Sequence, residues 1–89
     1  MIVAFDPGTI TGVAEWDNDV FRGYQFTVSE LYHWVDTYCY EISHGQIERF
    51  TISAATLRKA RVDDPLDVIG YLKYAAWRCN FPMGFSKPA

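Results

Sequence analysis

The chain opens on a short apolar run, Met1 to Phe5, that stops at Asp6-Pro7-Gly8. That pattern predicts a buried strand broken by a turn. Pro7 has no N–H to give a ladder and pushes Asp6 towards an extended conformation, while Gly8 and Gly12 admit a tight, φ-positive path. Gly12 to Trp16 reads as a second strand, Asp17-Asn18-Asp19 as a hairpin turn, and Val20 to Phe26 as the returning third strand. Thr27 or Ser29 is placed to cap a helix over about 28–41, in which Val28, Leu31, Tyr32, Val35 and Tyr38 or Cys39 recur at helical spacing. Ser43-His44-Gly45 ends that helix, and Gln46 to Ile52 predicts a fourth strand. A polar, basic loop follows. Asp64 as N-cap, Pro65 at the first helical position and Asp67 two residues on predict a second helix to about Cys79, with Leu66, Ile69, Gly70, Lys73 and Trp77 spaced along it. Asn80 terminates it, and Phe81 to Phe85 reads as a fifth strand. The order β-β-β-α-β-α-β predicts an α/β fold, a mixed sheet with helices on its faces.

Size and composition sharpen this picture. At 89 residues the chain is one domain at most, burying only about 60% or somewhat more of its unfolded surface. An apolar fraction of 49% supports a core and argues against disorder. Aromatics at 17% exceed what so small a core needs, so some rings are expected to cover a partner or a neighbouring element. Cys39 and Cys79 form neither a disulfide framework nor a zinc pattern, which fits a reducing compartment. No secretory leader and no apolar run near ~18 residues is present, which points away from secretion and membrane spanning. The net charge is −3, with 8 Lys and Arg against 11 Asp and Glu. Nucleic-acid binders are usually basic, so the balance argues against that class. However, Arg49, Arg58, Lys59 and Arg61 gather half of the cations in one segment.

Two segments carry candidate chemistry. One is the strand ending D-P-G-T-x-T-G, Asp6 to Gly12. The other is I-E-R-F, Ile47 to Phe50, followed by T-I-S-A-A-T-L-R-K-A-R and the D-P-L-D-V-I-G helix start. In this order, with a meander and a helix between them, they resemble RuvC-type Holliday junction resolvases, above all the phage-encoded ones, across nearly the whole chain. The resemblance implies an RNase H-like fold and a metal-dependent, structure-selective DNA endonuclease. Asp6 and Glu48 would be catalytic metal ligands for Mg²⁺, with Mn²⁺ as substitute. Two-metal phosphodiester hydrolysis needs carboxylates converging on ions about 3.5–4 Å apart, and neighbouring strands lie about 4.7–4.9 Å apart. Carboxylates at the same end of two adjacent parallel strands meet that need, and the intervening helix supplies the crossover that parallel pairing requires.

The resemblance also implies that Arg58, Lys59 and Arg61 reach phosphates of a four-way junction or flap, with Arg49 and Phe50 beside them. It implies a homodimer, since a junction has two-fold symmetry, and a bacterial or phage-infected host cytoplasm. Family members draw further carboxylates from a C-terminal acidic helix. The chain stops at Ala89 before any such helix, so the domain is expected to be incomplete at that end and weak or inactive alone.

Each reading has a plainer rival. Asp6 before Pro-Gly is a common turn residue, Glu48 could pair with Arg49 on an exposed strand, and the basic segment could be an ordinary solvated loop. Glu15, Asp17 and Asp19 read as hairpin surface and turn residues, and His33 and His44 carry no role. Trp16, Trp34 and Trp77 read as core or interface, and mid-helix Gly70 as a close-packing position. Two other functions stay open. One is an actin-like nucleotide-binding fragment, whose group shares D-x-G-T-x-x-G but needs a second phosphate loop and far more chain. The other is a DNA-binding module of the same fold with an incomplete catalytic site.

Overall fold

The computed structural model describes residues 1–48 and 63–86. In chain order the elements are β1 (Ile2–Asp6), β2 (Ile10–Asp17), β3 (Val20–Thr27), α1 (Val28–Tyr38), a 3₁₀ turn (Cys39–Glu41), β4 (His44–Glu48), α2 (Asp63–Cys79) and β5 (Met83–Ser86). They form a mixed five-stranded sheet in the order β3-β2-β1-β4-β5. The first three strands are an antiparallel meander, and β1–β4 and β4–β5 are parallel.

Local chemistry sets the meander. Asn18 and Asp19 adopt φ of 50° and 67°, the left-handed pair that a two-residue hairpin turn demands and that Asn and Asp tolerate best. The turn closes Asp17 on Val20 and fixes every later pair of the hairpin, including Gly12 opposite Gln25. No glycine among the described residues has positive φ, contrary to the path expected for Gly8 and Gly12. Gly8 is required for space instead: a Cβ there would lie 2.9 Å from the Ile10 carbonyl oxygen.

Thr27 caps α1 through a capping box. Its hydroxyl accepts from the Glu30 N–H at 3.3 Å, and the Glu30 carboxylate accepts from the Thr27 N–H at 2.9 Å. Leu31, Trp34 and Val35 then face the core. The helix gives way to the 3₁₀ turn at Cys39, and His44 and Gly45 begin β4 rather than ending the helix. The expected continuation of the fourth strand beyond Glu48 lies outside the described residues.

The second helix starts at Asp63, two residues before the expected Pro65, and ends at Asn80, whose φ of 59° breaks the helical path. Its buried stripe is Val68, Leu72, Ala75, Ala76 and Cys79. The expected stripe was rotated, since Leu66 and Trp77 face solvent. Alanines let the helix lie close on the sheet, whereas Trp77 has no room there. Gly70 meets no neighbour, so it is a tolerated helix defect and not a packing device.

One buried cluster joins Val3, Phe5, Val13 and Ile47 of the strands to Leu31 and Val35 of α1 and Val68 and Leu72 of α2. All of those strand residues share one parity, so both helices cover the same sheet face. Glu15 belongs to that face too. It is only 6% exposed and ion-paired with Arg22 at 2.9 Å, so it is not the surface residue the sequence suggested. Between the helices the Tyr71 hydroxyl donates to Asp36, and Arg78 donates to the same carboxylate at 3.1 Å. The Tyr71 hydrogen bond, helped by Arg78, holds the Asp36 carboxyl below its usual range against the opposing effect of burial.

Cys39 and Cys79 are disulfide-bonded, with Cα atoms 5.9 Å apart across 40 residues of sequence. Spacing could not reveal this pair, because it is made by packing α2 against the 3₁₀ turn. The reducing-compartment reading loses the unpaired cysteines it rested on. Closing a loop of that length restricts the unfolded chain by roughly 4 kcal/mol. Reduction, or Cys79→Ala, is expected to lower Tm by on the order of 15–25 °C. A melt unchanged by dithiothreitol would show that the sulfurs are not bonded in solution.

Candidate functional site

Asp6 is the last residue of β1 and Glu48 the last described residue of β4. The parallel register pairs Phe5 with Ile47, so the next pair along is Asp6 and Glu48, at the same end of adjacent strands. Both alternate away from the buried Phe5 and Ile47, and so stand on the sheet face that the helices leave bare. The two carboxyl groups touch. The Asp6 charge first, and then a hydrogen bond between the two side chains, push Glu48 above its ordinary 4.5. Two carboxyl groups set this close at one strand end are a donor set of the type that a hard divalent cation takes.

The surroundings follow from the register. Gly12 pairs with Asp6 on one side and with Gln25 on the other. With no side chain at Gly12, a slot opens between the Asp6 carboxylate and the Gln25 amide. Gln46 precedes Glu48 by two residues and lies on the same face. These groups border an open hollow of about 760 Å³ floored by Ala4, Gly12, Ala14 and Gly23. Volumes of this order accept small ligands. Residue type did not single out Gln25 or Gln46, although the Asn18-Asp19 turn fixes the register that puts Gln25 in this row.

Among the described residues no third His, Cys, Asp or Glu joins Asp6 and Glu48 in a cluster able to hold a metal ion. Two carboxylates suffice for one Mg²⁺ that keeps several waters. Arg49, Phe50, Arg58, Lys59 and Arg61 lie outside the described residues. His44 is exposed on β4 beside Ile2, and His33 is exposed on α1. No helix among the described residues is long and apolar enough to cross a membrane.

No protein-family model matches the chain, and no curated protein matches it in sequence. Its fold is shared with solved structures. YeaZ from Pseudomonas aeruginosa superposes with a TM-score of 0.67 at 10% identity, over 97% of this chain and 44% of that one. An uncharacterized protein with similarity to peptidase YEAZ, also from P. aeruginosa, gives 0.66 at 10% identity, over 97% and 42%. T. thermophilus RuvC in complex with Holliday junction substrate gives 0.56 at 14% identity, over 98% and 64%. The chain thus spans less than two thirds of the length of each. At such identities the likeness establishes the fold alone.

The carboxyl pair makes a pH-dependent expectation for the metal-free protein. Glu48 binds its proton more tightly folded than unfolded. Stability is therefore lost as pH rises from about the ordinary 4.5 through the raised folded value. Glu48→Gln removes that loss. Its Tm in EDTA is expected to exceed the wild-type Tm at pH 7, with the gap closing as pH falls to 4. A gap that does not vary with pH would show that the carboxyls do not repel.

Proposed function

We propose that this chain is a RuvC-like, metal-dependent DNA endonuclease domain, or the N-terminal part of one, acting on branched DNA. The observation that carries the reading is the placement of Asp6 beside Glu48 at the same end of adjacent parallel strands, on the bare sheet face. The shared fold with RuvC adds support. In this reading Asp6 and Glu48 would hold Mg²⁺ or Mn²⁺ as part of a two-metal centre, whose chemistry would be to stabilise the leaving oxygen and to activate an attacking water. The two carboxylates would position the ion and balance its charge. Arg58, Lys59 and Arg61, with Arg49 and Phe50, hold the DNA, and a homodimer places one site at each of two symmetric strands.

The fold also admits a second reading, because the YeaZ structures superpose with the higher TM-scores. In that reading the turn from Asp6 to Gly12 holds a nucleotide phosphate on its backbone amides. A third reading is a DNA-binding module of the same fold that does not cut.

Three measurements separate them. Mn²⁺ is expected to raise Tm in the wild type and to lose most of that effect in Asp6→Asn and in Glu48→Gln. A synthetic four-way junction is expected to bind more tightly than duplex DNA, with affinity falling steeply as salt rises. Cleavage by this chain alone is expected to be slow, and to be lost in Asp6→Asn. ATP binding without a Mn²⁺ site would favour the nucleotide reading. Junction binding that neither Mn²⁺ nor Asp6→Asn affects would favour the non-cutting module.

A further inference from the structure

The two sulfurs of the Cys39–Cys79 bond sit in different surroundings. Cys39 is fully buried, at 0% exposure, whereas Cys79 keeps 9% at the end of α2. Arg78 stands on the Cys39 side. Its Nη2 donates to Cys39 Sγ at 3.4 Å, and the same nitrogen donates to the Asp36 carboxylate at 3.1 Å. Among the described residues no donor reaches the Cys79 sulfur.

A neutral sulfur is a weak acceptor, so in the bonded state the contact with Arg78 contributes little. A thiolate in the same place carries a full charge and takes a charge-assisted hydrogen bond. Arg78 therefore stabilises the reduced pair more than the bonded one. Burial works against a thiolate at Cys39, and a neighbouring cation offsets that. The asymmetry also sets the order of events. Thiol exchange is fastest when the attacked sulfur is accessible and the departing thiol has the lower pKa. Exposure selects Cys79 for attack, and Arg78 selects Cys39 to leave.

The bond joins the 3₁₀ turn that leads into β4 to the end of α2, which leads into β5. In the bonded state Arg78 also ties α2 to Asp36 of α1, where the Tyr71 hydroxyl donates to the same carboxylate. A thiolate at Cys39 competes with Asp36 for the Arg78 Nη2. Opening the bond thus loosens one more link between the helices, while the Tyr71 hydrogen bond remains.

We propose that Cys39–Cys79 is a reversible thiol-exchange site, opened by a small thiol at Cys79, with Arg78 as the positioning residue that holds the Cys39 thiolate. The incoming thiolate attacks Cys79 Sγ, the Cys39–Cys79 bond breaks, and Cys39 leaves with the electron pair. A second thiolate attacks the small-molecule sulfur of the mixed disulfide. Cys79 is released and takes a proton from water. Two thiols are oxidised to one disulfide, and the protein pair gains the two electrons. This site is independent of the nuclease reading.

The test equilibrates the full chain at pH 8 with reduced and oxidised glutathione at a series of ratios. Acid quenching, alkylation and mass measurement then count the open and bonded states. The wild type is expected to open within the series and to close again when the ratio is reversed. Arg78→Gln is expected to make opening about tenfold harder, a shift of about 30 mV for two electrons, and Arg78→Lys to recover most of it. Asp36→Asn breaks the same ion pair but leaves the guanidinium to the sulfur, so it is expected to make opening easier. If Arg78 served only the ion pair, Arg78→Gln and Asp36→Asn would act alike, and that result would overturn the proposal. Peptide mapping of early quenches of the wild type needs no variant. It is expected to find glutathione on Cys79, and glutathione on Cys39 would overturn the order of attack. Circular dichroism is expected to show every variant, and the reduced wild type, folded at room temperature. Unfolding of the wild type on reduction, or a bond that glutathione neither opens nor remakes, would show a fixed staple instead.

Discussion

The parallel pairing of β1 with β4 is the constraint on which the rest depends. It sets Phe5 beside Ile47 in the core, and the same register sets Asp6 beside Glu48 in the open. A slip of one residue would turn each strand's apolar set outwards. Burial of Val3, Phe5 and Ile47 therefore holds in place two carboxylates that repel each other. The hydrophobic side of the pairing stabilises a polar side on which two carboxyl groups are pressed together.

The helices enforce this asymmetry. Both pack on the Phe5 face, joined by the Tyr71–Asp36–Arg78 network and the Cys39–Cys79 bond. The disulfide ties the segment leading into β4 to the segment leading into β5, so it braces the parallel half of the sheet. The antiparallel half needs no such brace, because its turns are local. Among the described residues, the face that the helices leave uncovered is zoned into an acidic row, a smooth row and an apolar row.

Local features were readable because their causes are local. Asp17-Asn18-Asp19 marks a hairpin turn, Thr27 or Ser29 a helix cap, and Asp6-Pro7-Gly8 the end of a strand; the structure narrows the turn to Asn18-Asp19 and the cap to Thr27 with Glu30. Asp6 and Glu48 were legible as candidates from residue type and order. Their contact was not, because a parallel register is set by how a helical crossover packs and not by a turn. The buried stripe of α2 was misplaced by rotation, since Leu66 and Trp77 look more apolar than Ala75 and Ala76. Burial there follows the room above the sheet, which favours small side chains. Glu15 was read as surface because a lone carboxylate usually is. Its pairing with Arg22 across the hairpin makes burial tolerable.

By itself, then, the sequence determined the order of the elements it encodes, the hairpin register, the cap of α1 and the residue types available for chemistry. Propensity, turn geometry and alternation act over a few residues, and those interactions are written contiguously. Only the tertiary structure decided which strands are neighbours, that Glu48 meets Asp6, that two distant cysteines meet, and that both described helices pack on one sheet face. Those outcomes depend on contacts between segments tens of residues apart, where the fit of side chains, and not their order, selects the arrangement.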